Sequence, residues 1–186
     1  MSIKSFIRDK LMRLRSEVST EKLVKLGLTV GKNFSRQEKT LIDQSHCWLI
    51  NIGDDVTLAP RVHILAHDAS TKKGIGYTRI GLVNIGNNVF IGASSTVLPG
   101  VTIGDNVVIG AGSIVAKDIP SDSVAIGSPA KVICSYNDFL LRKKTEFENV
   151  PVFSEEYTLR NHSFTYDMKL EMKKALQNNG GVGYVE

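Results

Sequence analysis

The chain has 186 residues, of which 42% are hydrophobic and 23% are charged, and its net charge is +4. This content suffices for one packed domain with appendages. The mild, dispersed positive charge has no accompanying aromatic ladder, which argues against nucleic-acid binding. Cys47 and Cys134 form no CxxC pair and give no zinc signature, so we expect reduced thiols in a cytoplasmic protein.

Residues 1–25 are predicted to form an N-terminal helical segment. Ile3, Phe6 and Leu14 fall on one side of a helix whose other side is basic. Such a helix can pack on the rest of the protein or on a neighbouring subunit. A basic amphipathic helix can also rest on anionic lipid, so peripheral membrane contact through residues 1–15 stays open.

Residues 26–135 are dominated by a repeat with a step of six residues, which is clearest between residues 85 and 119. A large aliphatic residue recurs at each step, usually followed by glycine, and a small or β-branched residue comes four positions later. Neither a helical period nor strict alternation fits this pattern. Short strands joined by tight bends fit it, with three sides closing a triangular turn and successive turns stacking in parallel. The first column comprises Ile85, Ile91, Val97, Ile103, Ile109 and Val115, and the second comprises Val89, Ser95, Val101, Val107, Ser113 and Ile119.

The same register extends upstream through Ile52, Leu58 and Ile64, and residues 30–34 have the same shape. Residues 35–50 are predicted to be irregular coil in which Trp48 and Ile50 are buried. The register breaks once, between residues 64 and 85, where the step is not a multiple of six. The polar, glycine-bearing stretch 67–83 is therefore predicted to project as a loop, and loops on rigid scaffolds commonly carry sites.

Residues 123–127 are predicted to form the last turn of the coil, and residues 136–186 a C-terminal helical extension. Helices are expected at 136–147 and 164–176, where they would cover the exposed last strands of the coil. The predicted fold is thus an all-β solenoid of hexapeptide repeats with helical appendages at both ends.

His67 lies where the coil ends and the loop begins. An imidazole there can hold one nitrogen on a structural acceptor and aim the other at a substrate hydroxyl, as a general base does near neutral pH. A plain surface histidine is the alternative. His63, four residues earlier, could form a metal-binding pair with His67 on a helix, but this segment is a coil edge and a third ligand would be needed. No metal is expected.

Small residues at 110–116 leave a shallow groove near the far end of the coil, where backbone groups can meet an extended ligand. Lys117 and Lys131 follow this groove and could neutralise phosphates. Solvated surface charges are the alternative for both lysines.

Four motifs in fixed order resemble the hexapeptide-repeat acyltransferases over roughly residues 25–135, and most of all the maltose, galactoside and polysaccharide O-acetyltransferases. The resemblance implies a left-handed parallel β-helix, a homotrimer with active sites between subunits, and acetyl-CoA as co-substrate. The motifs are Ile85–Gly92, Leu98–Asn106, Ile109–Pro120 and Gly127–Ile133.

Position by position, the resemblance implies that His67 is the catalytic base. It further implies CoA contacts at Ala93, Ala111, Ala116, Lys117 and Lys131. Phe90 stands where sugar acetyltransferases commonly have tryptophan, which leaves the class of acceptor open. Lys131 replaces a frequent arginine and keeps the charge without the bidentate phosphate contact.

The expected function is acetyl-CoA-dependent O-acetylation of a sugar or of a polysaccharide or lipopolysaccharide precursor, by direct transfer with a histidine base. Acyl transfer to an amino sugar or another amine is the nearest alternative. A metal-dependent carbonic anhydrase and a non-catalytic trimeric scaffold are alternatives of other classes on the same fold.

Overall fold

The computed structural model describes residues 18–186. Most of the predicted N-terminal helical segment therefore lies outside the described residues, including all of its amphipathic pattern. Its described end is helix α1 (Thr20–Lys25), which begins where the Ser19 hydroxyl accepts a hydrogen bond from the Lys22 amide at 3.3 Å. Between residues 18 and 186 no helix has both the length and the apolar character that a bilayer span requires.

The chain divides into two compact units, one ending at Asn137 and the other comprising Asp138–Glu186. The first unit is a coil of three parallel sheets, which the chain visits in rotation. The first sheet contains β1 (Thr29–Val30), β4 (Ile50–Ile52), β9 (Val83–Ile85) and β12 (Thr102–Ile103). The second contains β2 (Ser35–Arg36), β5 (Thr57–Leu58), β10 (Val89–Ile91), β13 (Val107–Ile109) and β15 (Ser123–Ile126). The third contains β3 (Leu41–Ile42), β6 (His63–Ile64), β11 (Thr96–Val97) and β14 (Ile114–Val115).

Both predicted columns face the interior of the coil. Every member of the aliphatic column is at most 3% exposed, and the second column is likewise buried. Two serines in that second column are satisfied inside, because the hydroxyls of Ser95 and Ser113 both donate to the Gly110 carbonyl, at 3.0 and 2.6 Å. The repeat prediction is confirmed at these positions.

The corner between the first and second sheets carries a ladder of side-chain amides and carboxylates. Asn88, Asn106 and Asp122 all have positive φ, which asparagine and aspartate tolerate better than most residues. The Asn88 amide donates to Asn106 at 2.9 Å, and the Asn106 amide donates to Asp122 at 2.8 Å. The Asn or Asp that recurs three residues after the inward isoleucine thus links successive turns at this corner.

The prediction of irregular coil at 35–50 is wrong for its first part. Strands β2 and β3 continue the coil there, and Ile42 is buried. The register therefore breaks a second time here, and a third time at the end of the coil, where Val107 pairs with Ser123 only 16 residues later. Paired residues on successive turns lie 18 apart in the regular part, as in Val89 and Val107, but 22 apart in the lowest turn, as in Leu41 and His63.

Four extra residues therefore enter between β3 and β4, where a 3-10 turn (Cys47–Leu49) forms. Ile50 is buried as predicted, but Trp48 is 55% exposed, contrary to the prediction. The turn places Trp48 outside the coil because its neighbour Cys47 takes the inward position with no exposed surface.

The predicted projecting loop follows β6. It contains β7 (His67–Asp68) and β8 (Arg79–Ile80), which pair antiparallel, and a short helix α2 (Lys72–Ile75) between them. The loop closes where the Gly81 amide donates to the Ala66 carbonyl at 3.0 Å, after which β9 resumes the coil.

The coil ends differently from the expectation. Strand β16 (Lys131–Ser135) turns back and pairs antiparallel with β15, so a strand covers this edge of the second sheet. The predicted helices are present as α3 (Tyr136–Phe147) and α4 (Tyr166–Asn178). Between and after them lie a 3-10 turn (Glu155–Tyr157) and the parallel pair β17 (Val152–Phe153) and β18 (Tyr184–Val185).

Gly92 tests the tightness of the stack. A Cβ atom at this position would lie 2.4 Å from the Ala111 amide nitrogen, which is backbone and cannot rotate away. We expect Gly92→Ala to lower the free energy of unfolding by about 1–3 kcal/mol, as overpacking does. Gly74→Ala is the matched control, because nothing lies within 4 Å of a Cβ there. Equal urea midpoints for the two variants would contradict the close approach of the turns.

Candidate active site

His67 opens the projecting loop at the corner that follows the third sheet. The coil is still regular two residues earlier, where the Leu65 amide donates to the Val97 carbonyl on the next turn at 3.0 Å. The His67 side chain is 36% exposed. It is therefore anchored on a rigid edge while part of its ring remains open to a ligand.

Asp43 occupies the same corner one turn below and contacts His67. One of its carboxylate oxygens accepts hydrogen bonds from His67 Nδ1 and, at 3.0 Å, from the Ala66 amide. The other oxygen accepts from the amides of Ser45 at 3.0 Å and His46 at 3.2 Å. Four donors thus hold a carboxylate that is only 2% exposed.

These contacts decide the protonation state of Asp43. Burial alone would raise the pKa of this carboxyl group. The hydrogen bonds from His67 and Ala66, the attraction of the His67 ring and the hydrogen bond from Ser45 together outweigh burial, so the pKa of Asp43 lies below its ordinary value. Asp43 is therefore an anion at neutral pH.

An anionic Asp43 fixes the tautomer of His67. A carboxylate can only accept, so His67 Nδ1 must carry the proton that bridges the two side chains. In the neutral ring the other nitrogen, Nε2, then has a lone pair available. This is the arrangement in which a carboxylate orients an imidazole as a general base and stabilises the cation formed when it takes a proton.

Two further aromatic rings stand beside the pair. The ring of His46 lies 5.1 Å from that of His67 and 5.3 Å from that of Trp48, centroid to centroid. His46 Nδ1 is buried and has no hydrogen-bond partner among residues 18–186. The three rings thus form a row that ends at the exposed indole.

Asp43, His46 and His67 also have the composition of a metal site, since their potential ligand atoms lie within 4.8 Å of one another. The hydrogen bonds argue against that use. A carboxylate has about four lone-pair positions, and Asp43 already accepts four hydrogen bonds. A metal ion would have to displace the donors that orient His67, so the geometry favours an acid–base pair.

The residues expected to contact CoA flank the third sheet. Ala93 and Ala111 lie on successive turns at the corner before this sheet, and the Gly112 amide donates to the Ala93 carbonyl at 2.8 Å. Ala116 and Lys117 follow β14 at the other corner, and both are exposed. Lys131 is exposed on β16, directly after the Ala130 amide that donates to Ile114 of β14 at 2.8 Å.

His67 and these positions therefore belong to one side of the coil. His67 shares its corner with Ala116 and Lys117, two turns above. Ala93 and Ala111 lie across the width of the third sheet from it. The structure brings Asp43 and His46 into contact with His67. It brings none of the five positions expected to bind CoA into contact with His67.

Sequence reasoning did not identify Asp43 as the partner of His67. The signal was present, because Asp43 directly follows the inward Ile42, at the position that holds Leu65, Leu98 and Ala116 on the other turns. A charged residue at that position requires a partner inside the fold. Because the spacing of this turn departs from the six-residue step, the correspondence between Asp43 and the residues of other turns was not apparent in the sequence.

Comparison with known proteins gives consistent results. Residues 83–117 match the family described as bacterial transferase hexapeptide (six repeats). Protein CapG of Staphylococcus aureus is 42% identical over 131 residues, which are 67% of this chain and 76% of CapG. A maltose O-acetyltransferase structure from Clostridium difficile 630 superposes with a TM-score of 0.52 at 34% identity, covering 68% of this chain and 83% of that one.

A galactoside acetyltransferase solved in complex with coenzyme A has the same TM-score, 0.52, at 36% identity, and covers 67% of this chain and 72% of that one. Other curated relatives are longer, and the chain spans about half of their length, 56% and 49% in two cases. The coil, its repeat and the extended match to CapG agree: the chain belongs to the hexapeptide-repeat acyltransferases.

Proposed function

We propose that this protein transfers the acetyl group of acetyl-CoA to a hydroxyl group of a saccharide. The observation that carries the proposal is the contact between His67 and the buried, ionised Asp43 at the edge of the repeat coil. The relatives named for acetyl transfer to maltose and galactosides support a sugar hydroxyl as the acceptor. The coenzyme A complex of one relative supports acetyl-CoA as the donor.

The reaction follows from the roles of the two side chains. His67 Nε2 takes the proton of the acceptor hydroxyl while that oxygen attacks the thioester carbonyl carbon. Asp43 stabilises the imidazolium that forms. The tetrahedral intermediate then collapses, the C–S bond breaks, and the CoA sulfur receives the proton from His67 as the acetyl ester forms.

No covalent acyl-enzyme is needed in this scheme. Cys47 has no exposed surface, and its thiol lies against the backbone carbonyls of Leu23 and Leu26. A thiol in that position cannot reach a thioester. Direct transfer within a ternary complex is therefore the mechanism that we propose.

We extend the proposal to the assembly and the donor site. A cytoplasmic homotrimer of left-handed β-helices, with each site between two subunits, would place the His67 corner of one chain against the Ala93 corner of another. Lys117 and Lys131 would then neutralise CoA phosphates, and a backbone amide near Ala93 would stabilise the oxyanion.

A screen with labelled acetyl-CoA over sugars and amines, using the wild type and His67→Ala, tests the proposal. We expect His67→Ala to lose on the order of a hundredfold or more in turnover while its fold and CoA affinity persist. His63→Ala is the matched control, because His63 is an exposed histidine on the same turn of the third sheet. Near-normal turnover in His67→Ala would refute the role of His67 as the general base.

The same screen separates the alternatives. Transfer to amines alone would identify an N-acyltransferase, since one imidazole base can serve either acceptor. No stabilisation of the folded protein by saturating acetyl-CoA would favour a scaffold, because a ligand that binds the native state must raise its melting temperature.

Asp43→Asn tests the orienting role. We expect kcat to fall on the order of 10²–10⁴-fold, because the amide no longer fixes the tautomer of His67. KM for acetyl-CoA should change little. An unaltered kcat would show that the contact does not serve catalysis.

The same variant makes a prediction about pH and stability. Because the folded-state pKa of Asp43 is lowered, its carboxylate adds stability that is fully present above about pH 4 and is lost as the pH falls through the folded-state value. The stability deficit of Asp43→Asn, about 1–3 kcal/mol from unsatisfied donors at pH 7, should therefore shrink in acid. Urea unfolding at pH 7 and pH 3 measures the difference.

Lys131→Ala tests the donor site. We expect KM for acetyl-CoA to rise roughly three- to tenfold, as the loss of one exposed phosphate contact would cause, with kcat unchanged at saturation. Lys32→Ala removes another exposed charge, at the opposite end of the coil, and should leave KM for acetyl-CoA unchanged. If Lys131→Ala and Lys32→Ala have the same KM for acetyl-CoA, Lys131 does not contribute to the donor site.

A further inference from the structure

Trp48 is the only tryptophan of the chain, and more than half of its surface is exposed. It belongs to the four-residue insertion between β3 and β4. Its flanking residues are anchored, since Cys47 and Ile50 have no exposed surface. A large apolar side chain is thus held outward by a buried backbone, rather than carried on a mobile tip.

The base of Trp48 is fixed by the end of α1. Gly27 has φ of +107°, and a Cβ atom there would lie 2.8 Å from the Cβ atom of Trp48. Only glycine allows this approach. The Cys47 thiol also lies 3.5 Å from the Leu26 carbonyl, within hydrogen-bonding reach. The backbone and the Cβ atom of Trp48 are therefore held in one position relative to the coil.

That position is next to the proposed base. One ring, that of His46, separates the indole from His67, with centroid distances of 5.3 and 5.1 Å. Each step is comparable to the length of one sugar residue. A saccharide lying along this row would place a hydroxyl group near His67 Nε2 while an apolar face of its ring covers the indole.

We propose that Trp48 is the stacking surface for the acceptor saccharide. The inference rests on the proposed function, since it names the acceptor contact of the same site. The C–H faces of pyranose rings are apolar and pack on aromatic rings, and a rigid tryptophan gives a large contact area at low entropic cost. Phe90, on the second sheet, does not share this corner with His67.

Fluorescence gives a direct test, because all tryptophan emission of this protein comes from Trp48. The enzyme, without acetyl-CoA, is titrated with maltose, lactose, methyl β-D-galactopyranoside and N-acetylglucosamine, and with sorbitol as a polyol that has no ring face. We expect a saturable change in emission with at least one sugar and none with sorbitol. No change with any of the four sugars would overturn the inference.

Kinetics give the second readout. For the sugar that changes the emission, Trp48→Ala should raise its KM about tenfold while kcat and KM for acetyl-CoA stay within about twofold, and Trp48→Phe should recover most of the loss. Tyr166→Ala is the control, since Tyr166 is an exposed aromatic residue of the second unit. Equal sugar KM values in Trp48→Ala and wild type would refute the role.

The outcomes separate the two proposals. A sugar that changes the emission but is never acetylated would overturn the proposed transfer and keep the stacking surface. Acetyl transfer to sugars that leave the emission unchanged would keep the proposed transfer and overturn the stacking surface. Emission that is already blue-shifted and resists acrylamide quenching before any sugar is added would show that another copy of the chain covers Trp48, which also overturns the inference.

Discussion

No turn of this coil can bury its own apolar side, and the whole structure depends on the contact between each turn and the next. The inward aliphatic residues fill a narrow three-sided interior, and parallel backbone hydrogen bonds join the regular turns at an interval of 18 residues. Glycine at the corners lets backbones approach so closely that a single added carbon would collide. Such a stack has no room for extra residues, so any insertion must leave it at a corner.

The two insertions leave at the same corner, on adjacent turns. The first follows β3 and brings Asp43, His46 and Trp48; the second follows β6 and begins with His67. Their neighbouring positions place a carboxylate under an imidazole, although 24 residues separate the two in sequence. The site is thus a consequence of where the repeat fails, and the regular turns above it hold that corner rigid.

The regular turns could be predicted from the sequence because each one repeats the same inward residues, and burial confirms them from Ile85 to Ile119. The lowest turn could not, because four extra residues shift the columns and polar residues occupy some of them. Trp48 was misjudged since hydrophobicity predicts burial, whereas its neighbour Cys47 fills the interior instead. Position and the family resemblance made His67 a candidate base, but its contact with Asp43 becomes apparent only when turns are paired in space.

The loop that begins at His67 closes on itself through the hydrogen bond between Ala66 and Gly81, so the coil resumes in register whatever lies between. Its length and composition are therefore decoupled from the folding of the scaffold. Evolution or protein engineering can therefore replace such a segment as a unit. A new loop sequence that keeps His67 would then change the surroundings of the His67–Asp43 pair and leave the regular turns unchanged.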